Sequence, residues 1–187
     1  LTKLHQCKYR FGLTGTLDGM QTNRLVLEGL FGTLNKVIST KELIDKKTLA
    51  DFSIKALVLT YPEAECKLVK DMNYQDEMDY IVSHSGRNNF IKDLTLRLNQ
   101  NTLVLFQYVE KHGKVLYDMI SDDTDRRVFF IYGGTDTQTR EDIRAITEQE
   151  KDAIIIASYG TFSTGINIRN LHNIVFASPS KSRVRAL

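Results

Sequence analysis

The chain of 187 residues is short of the features that mark special classes of protein. No stretch approaches the roughly 20 consecutive apolar residues of a membrane-spanning helix, so no membrane partner is expected. The first residues, Leu1-Thr2-Lys3-Leu4-His5-Gln6, hold neither a starting Met nor the apolar core of an export signal. The chain is therefore expected to be a fragment or a processed product of a cytoplasmic protein. Its two cysteines, Cys7 and Cys66, lie far apart, without a CxxC or Cys…His partner at zinc spacing, which favours reduced thiols over a metal site. A Gly-x-x-x-x-Gly-Lys-Ser/Thr loop is missing, and with it the usual lysine and hydroxyl for ATP phosphates and magnesium. The histidines His5, His84, His112 and His172 are scattered, and no Ser/His/Asp or Cys/His set suggests nucleophilic catalysis.

What is present is a core-forming composition, 42% hydrophobic, in a length between one domain and two. The net charge of +2 is mildly basic and does not by itself indicate nucleic acid. Local clustering says more: Lys181, Arg183 and Arg185 fall together near the C-terminus and are candidates for phosphate contact.

Four short apolar runs dominate the second half: Leu103–Phe106, Val128–Tyr132, Ala153–Ala157 and Asn173–Ala177. Continuous runs of this length suit strands covered on both faces, as in a parallel sheet. Between the first three lie helical patterns. Val109, His112, Leu116, Met119 and Ile120 share one face, which predicts a packed, hydrogen-bonded His112 rather than a catalytic one. Residues 138–149 form a thinner pattern after the capping residues Thr135-Asp136-Thr137. Strand, helix and strand at roughly 25-residue intervals give the βαβ rhythm of an α/β fold. The connection from 158 to 172 shows no clear helix. Upstream, 54–60 reads as a strand, followed by helices presenting Tyr74, Met78, Ile81 and Val82, then Phe90, Ile91, Leu94 and Leu98. Earlier still, strands are expected at 9–13 and 36–38, and helices at 23–30 and 41–50. The pattern change near residue 50 suggests two parts, 1–51 and 52–187.

In open parallel sheets, ligands gather beyond the carboxyl ends of the strands. The residues there are Gln107…His112-Gly113, Gly133-Gly134-Thr135, Ser158-Tyr159-Gly160-Thr161 and Ser178-Pro179-Ser180-Lys181. Such loops can offer backbone N–H and hydroxyl donors to phosphate oxygens. One such loop is ordinary turn chemistry; several on one edge point to an anion or nucleic-acid surface.

Three of these segments carry a resemblance. Arg10-Phe11-Gly12-Leu13-Thr14-Gly15-Thr16-Leu17 resembles motif III of superfamily 2 helicases. Leu103-Val104-Leu105-Phe106 with Gln107…His112-Gly113 resembles motif IV, and the string from Ile156 to Asn167 resembles motif V. The resemblance covers essentially the whole chain. It implies a RecA-like parallel sheet with flanking helices: the C-terminal part of a first motor domain in 1–51 and most of a second in 52–187, stopping before motif VI.

By the same resemblance, Thr14, Gly15 and Thr16 would couple nucleotide state to domain movement. Gly165 and Asn167 would lie near the nucleotide, although the family often has Asp where Asn167 stands, so any ribose contact there would lack charge. Ser158, Tyr159 and Thr161 would lie near DNA phosphates, with Gln107, His112, Gly133 and Thr135 guiding the strand. The resemblance implies an ATP- and Mg2+-dependent DNA helicase, a monomeric motor acting in recombination, repair and replication. Its partners would be single-stranded and branched DNA, including stalled forks and RNA–DNA hybrids. The phosphate loop and arginine finger fall outside the chain, which by itself is expected to be inactive. The rival readings are a non-unwinding translocase of a restriction system and a catalytically inert DNA- or partner-binding module.

Overall fold

The computed structural model describes residues 7–14, 21–162 and 168–179. The chain divides into two compact units, Leu1–Val58 and Leu59–Leu187.

Among the described residues, the smaller unit holds two helices. α1 (Gln21–Phe31) carries an Arg24–Glu28 ion pair one turn apart at 2.9 Å and stops at Gly32, whose φ of +86° suits the residue without a Cβ. α2 (Thr40–Asp45) opens with a capping box: the Glu42 amide donates to Ser39 Oγ, and the Ser39 amide donates to the Glu42 carboxylate. That pairing holds the Glu42 pKa below the usual carboxylate range. The helix expected to run to residue 50 ends at Asp45, because Lys47 turns left-handed with φ 56°. The strands expected at 9–13 and 36–38 do not form, and neither does the one expected at 54–60. Phe11, Leu13, Val37, Ile54 and Val58 are exposed instead. Among the described residues these segments have no neighbouring strand, and a strand is not stable without a ladder.

The larger unit is a layered α/β domain. Three helices open it: α3 (Glu63–Val69), α4 (Tyr74–Ser83) and α5 (Ser85–Arg97). The sequence pattern had not revealed α3. Asn73 caps α4 by accepting from the Gln75 and Asp76 amides, and His84 Nδ1 caps α5 by accepting from the Arg87 amide at 3.1 Å. Then come β1 (Thr102–Phe106), a π-helical turn (Val109–Gly113), α6 (Lys114–Ser121), β2 (Val128–Ile131), α7 (Thr137–Gln149), β3 (Ile154–Ser158), the short α8 (Tyr159–Phe162) and β4 (Asn173–Phe176). The four apolar runs of the second half form the strands expected of them. They make one all-parallel sheet in the order β2-β3-β1-β4.

The two central strands, β1 and β3, are buried at every residue. Their alternate side chains feed two cores. Val104, Phe106, Ile154, Ile156 and Val175 meet Ile91, Leu116 and Ile120 of α5 and α6. Leu103, Leu105, Ile155 and Ala157 meet Ile143 of α7. Two-sided burial is the reason these strands read as unbroken apolar runs. Below the sheet, at the strand starts, the buried Asn101 amide group ties several elements together. Its Nδ2 donates to the carbonyls of Thr147, Glu150 and Asn170, and its Oδ1 accepts from the Ala153 amide at 2.7 Å. Arg126 likewise satisfies the carbonyls left open at the end of α5, donating to Leu98 and Gln100.

Candidate nucleic-acid interface

Parallel pairing puts every strand's carboxyl end on one side. The register sets Phe106 beside Ser158, Leu105 beside Phe176 and Ile131 beside Ala157. Gln107, Gly133-Gly134-Thr135, Ser158-Tyr159 and Ala177-Ser178 therefore share a single rim. The loops that sequence reading picked out singly are brought together by topology.

The 133–135 loop is held from below. The Thr135 amide donates to the Tyr132 carbonyl, the Tyr132 amide donates to Thr135 Oγ1, and the Arg140 guanidinium donates to the carbonyls of Thr135 and Gly133. A Cβ on Gly134 would lie 2.6 Å from the exposed Tyr132 ring, so a side chain there would push that ring aside. Gly133 and Gly134 remain exposed. Asp136 caps α7 through the Thr139 amide and hydroxyl, which hold its carboxyl below the usual range. Its negative charge already occupies that helix start, so the anion-binding capacity of this loop lies in its exposed glycines.

The centre of the rim is a buried polar network built around Ser178. Ser178 Oγ accepts from the Gln107 amide at 3.0 Å and lies 2.8 Å from His112 Nδ1. The Ser178 carbonyl accepts from the Tyr159 hydroxyl at 2.6 Å. His112 Nε2 lies 3.2 Å from Asn88 Oδ1, while Asn88 Nδ2 donates to the Val82 carbonyl. These partners fix the directions. Asn88 Oδ1 can only accept, so His112 carries its proton on Nε2, and its Nδ1 accepts from the Ser178 hydroxyl. The imidazole is neutral, and burial, with Arg87 as a lesser cause, pulls its pKa down to about 4.

This geometry corrects one expectation. His112, expected among the strand-contacting residues, has no exposed surface. The π-helical turn, in which the Gly113 amide reaches back to the Tyr108 carbonyl at 2.8 Å, belongs to the stretch that brings His112 into the domain. Gly113 packs against the Phe106 ring so closely that a Cβ would lie 2.5 Å from it. Ser158, Tyr159 and Thr161 are also buried. The Ser158 and Thr161 hydroxyls bond each other at 2.7 Å, and the Tyr159 hydroxyl is committed to Ser178. Of the expected contacts, Gln107 and Gly133 are exposed and Thr135 is half-buried. Thr14 is exposed in the smaller unit. Gly15, Thr16, Gly165, Asn167, Lys181, Arg183 and Arg185 lie outside the described residues.

Sequence reading missed Ser178, Asn88 and Arg87 as site residues. Ser178 stood in a named strand-end loop, and that position was its only signal. Asn88 and Arg87 sit in the polar stretch Ser85-Gly86-Arg87-Asn88-Asn89, which reads as a solvated helix start. Both cysteines are free and exposed. Among the described residues, no helix is long and apolar enough to cross a membrane.

An open parallel α/β domain with hydroxyl- and glycine-rich loops on its carboxyl rim is the class that fold and site define. Comparison with known proteins sharpens this. The chain is 35% identical, over 190 residues and its full length, to the ATP-dependent DNA helicase uvsW of Enterobacteria phage T4, of which it spans 38%. The crystal structure of T4 UvsW matches 67% of this chain and 26% of that one, with a TM-score of 0.60 and 36% identity. The chain is homologous to part of that longer phage helicase. No protein-family model matches it.

Proposed function

We propose that this chain is part of an ATP-dependent DNA helicase or translocase. Residues 1–51 are the C-terminal part of a first RecA-like motor domain, and 52–187 are most of a second. The observation that carries the reading is the gathering of Gln107, Gly133-Gly134-Thr135 and the Ser158–Thr161 segment on one rim, in a chain homologous to a DNA helicase. Backbone and side-chain amide donors grip a strand by its phosphates without reading its bases, which is what a motor moving along any sequence needs.

Within that reading, Gln107, Gly133 and Thr135 touch the strand. His112, Ser158, Tyr159 and Thr161 hold the loops at the right spacing from inside. Lys181, Arg183 and Arg185 add charge. Thr14, Gly15 and Thr16 couple nucleotide state to domain movement, and Gly165 and Asn167 approach the nucleotide. The substrates are branched DNA: recombination intermediates, stalled forks and R-loops. ATP hydrolysis supplies the energy for moving the domains. Among the described residues no cluster of His, Cys, Asp and Glu could hold the accompanying Mg2+. The chain also has no phosphate loop, so no catalytic step is assigned to its own residues.

The test is fluorescence anisotropy with single-stranded and forked oligonucleotides across a salt series. The expected result is sequence-independent binding that weakens steeply with salt. Binding that is absent at low salt, or insensitive to salt, overturns the reading.

A further inference from the structure

Among the described residues, one charged group beneath the rim has no counter-charge. Arg87, near the start of α5, donates from Nη2 to the carbonyl of Ala177 at 2.6 Å, just past the end of β4. Its Nη1 is buried with no hydrogen-bond partner. None of the ion pairs among the described residues includes it. Burial lowers its pKa, and the groups that oppose this are the Tyr61 and Tyr159 hydroxyls rather than any carboxylate. Arg87 is half-buried, and a charge taken partly out of water is ordinarily paired, because an isolated one forfeits part of its hydration. Arginine keeps its charge under any ordinary condition, so neutralisation is no way out.

We propose that Arg87 is a phosphate-binding residue of the rim, holding Ala177 with one arm of its guanidinium and a phosphate of the bound strand with the other. The inference rests on the strand-binding reading above and adds to it a residue that the helicase motifs did not indicate. The planar fork of arginine is suited to this division, since its N–H groups point in fixed directions. Neighbouring groups favour an anion on the Tyr159–Ala177 side, where Gln107, Tyr159 and Ser178 are neutral. Tyr61, which also neighbours Arg87, lines a cavity of about 160 Å3 with Tyr80 and His84, and that cavity carries Glu65 and Glu77, which repel an anion. Because Nη1 is enclosed in the free chain, phosphate binding has to be accompanied by a small turn of the guanidinium or of the loop over it.

The test compares the unaltered chain with Arg87→Met and Arg87→Lys. Met keeps much of the volume and removes the charge but gives up the bond to the Ala177 carbonyl, so the urea midpoint of Arg87→Met should fall by no more than one hydrogen bond's worth. It should bind oligo(dT) about tenfold more weakly, the loss expected for one charge-assisted contact. The slope of log K against log salt should shrink by about 0.7, one phosphate's worth on a single strand. Arg87→Lys should recover part of both. An Arg87→Met chain that loses stability but keeps the oligonucleotide affinity and slope overturns the proposal and leaves Arg87 a structural tie to Ala177. A loss confined to ATP binding, with oligo(dT) unaffected, also overturns it by assigning the phosphate to the nucleotide.

A third arm separates this inference from the helicase reading. Arg87 contributes to the low His112 pKa, so an anion on Arg87 should raise it. If the unaltered chain binds no DNA, the helicase reading fails, and inorganic phosphate decides. A shift of the His112 imidazole resonances with phosphate, absent in Arg87→Met, supports the anion site; no shift overturns it.

Discussion

Acidification from pH 7 to pH 5 should remove about 2 kcal/mol of folding stability through His112 alone. The imidazole has no exposed surface, and both ring nitrogens are already committed in the neutral form, one accepting from Ser178 and one donating to Asn88. A second ring proton would reverse the bond to Ser178, leaving the Ser178 hydroxyl hydrogen to find another acceptor. Burial, and then Arg87, bring the folded pKa from 6.5 to about 4. Between those two values the unfolded chain binds a proton that the folded chain does not. Stability therefore rises with pH across that window: the contribution is fully present above about 6.5 and is lost as pH falls toward 4. The whole gap corresponds to roughly 3 kcal/mol, of which about 2 kcal/mol is gone by pH 5. The depressed carboxyls of Glu65, Asp79 and Asp136 act lower. Their contribution is present above their unfolded pKa values and is lost as pH falls through the folded ones, so the interval from 7 to 5 belongs mainly to histidine. The assay is urea unfolding at pH 7, 6 and 5, with His112→Gln as the non-titrating comparison and an NMR titration of the native imidazole. A native His112 that titrates above about pH 6, or an unaltered chain no more acid-sensitive than His112→Gln, refutes the reasoning.

Gly113→Ala should destabilise the domain by about 1–3 kcal/mol in urea, because its Cβ would fall 2.5 Å from the buried Phe106 ring; an unchanged midpoint would show that the ring moves freely. Asn101→Ala should cost about 2–4 kcal/mol by stranding the Ala153 amide and several carbonyls. Asn101→Asp should be worse, since a carboxylate would face those carbonyl oxygens; equal stability of the two variants would contradict the assigned bonds. The purified chain should hydrolyse no ATP, and DNA-stimulated phosphate release above a buffer blank would contradict this. Neutralising Lys181, Arg183 and Arg185 should weaken DNA binding and flatten its salt dependence; an unchanged slope removes them from the interface.

Local chemistry was enough to read a large part of the fold. The runs at 103–106, 128–132, 153–157 and 173–177 became β1 to β4 because burial on both faces leaves an unbroken apolar string in the sequence. Asp136 before α7 signalled a helix start through the same oxygen that accepts from the Thr139 amide. The loop chemistry at the strand ends was equally plain.

Pairing was what the sequence alone did not determine. The segments 9–13, 36–38 and 54–60 have strand-like residues, yet they form no ladder among the described residues, because a ladder needs a neighbour supplied from elsewhere in the chain. The order β2-β3-β1-β4, and with it the single rim, is likewise a property of long-range contacts. His112 shows the same limit at the scale of one side chain. Its helical pattern announced that it would be buried, but its partners Asn88 and Ser178 lie 24 and 66 residues away, beyond any local period. Composition and spacing fixed which segments could be strands and which loops carried donors. The tertiary structure alone decided which donors stayed exposed and which were consumed inside the rim, because a hydrogen bond between distant residues leaves no periodic trace in the chain.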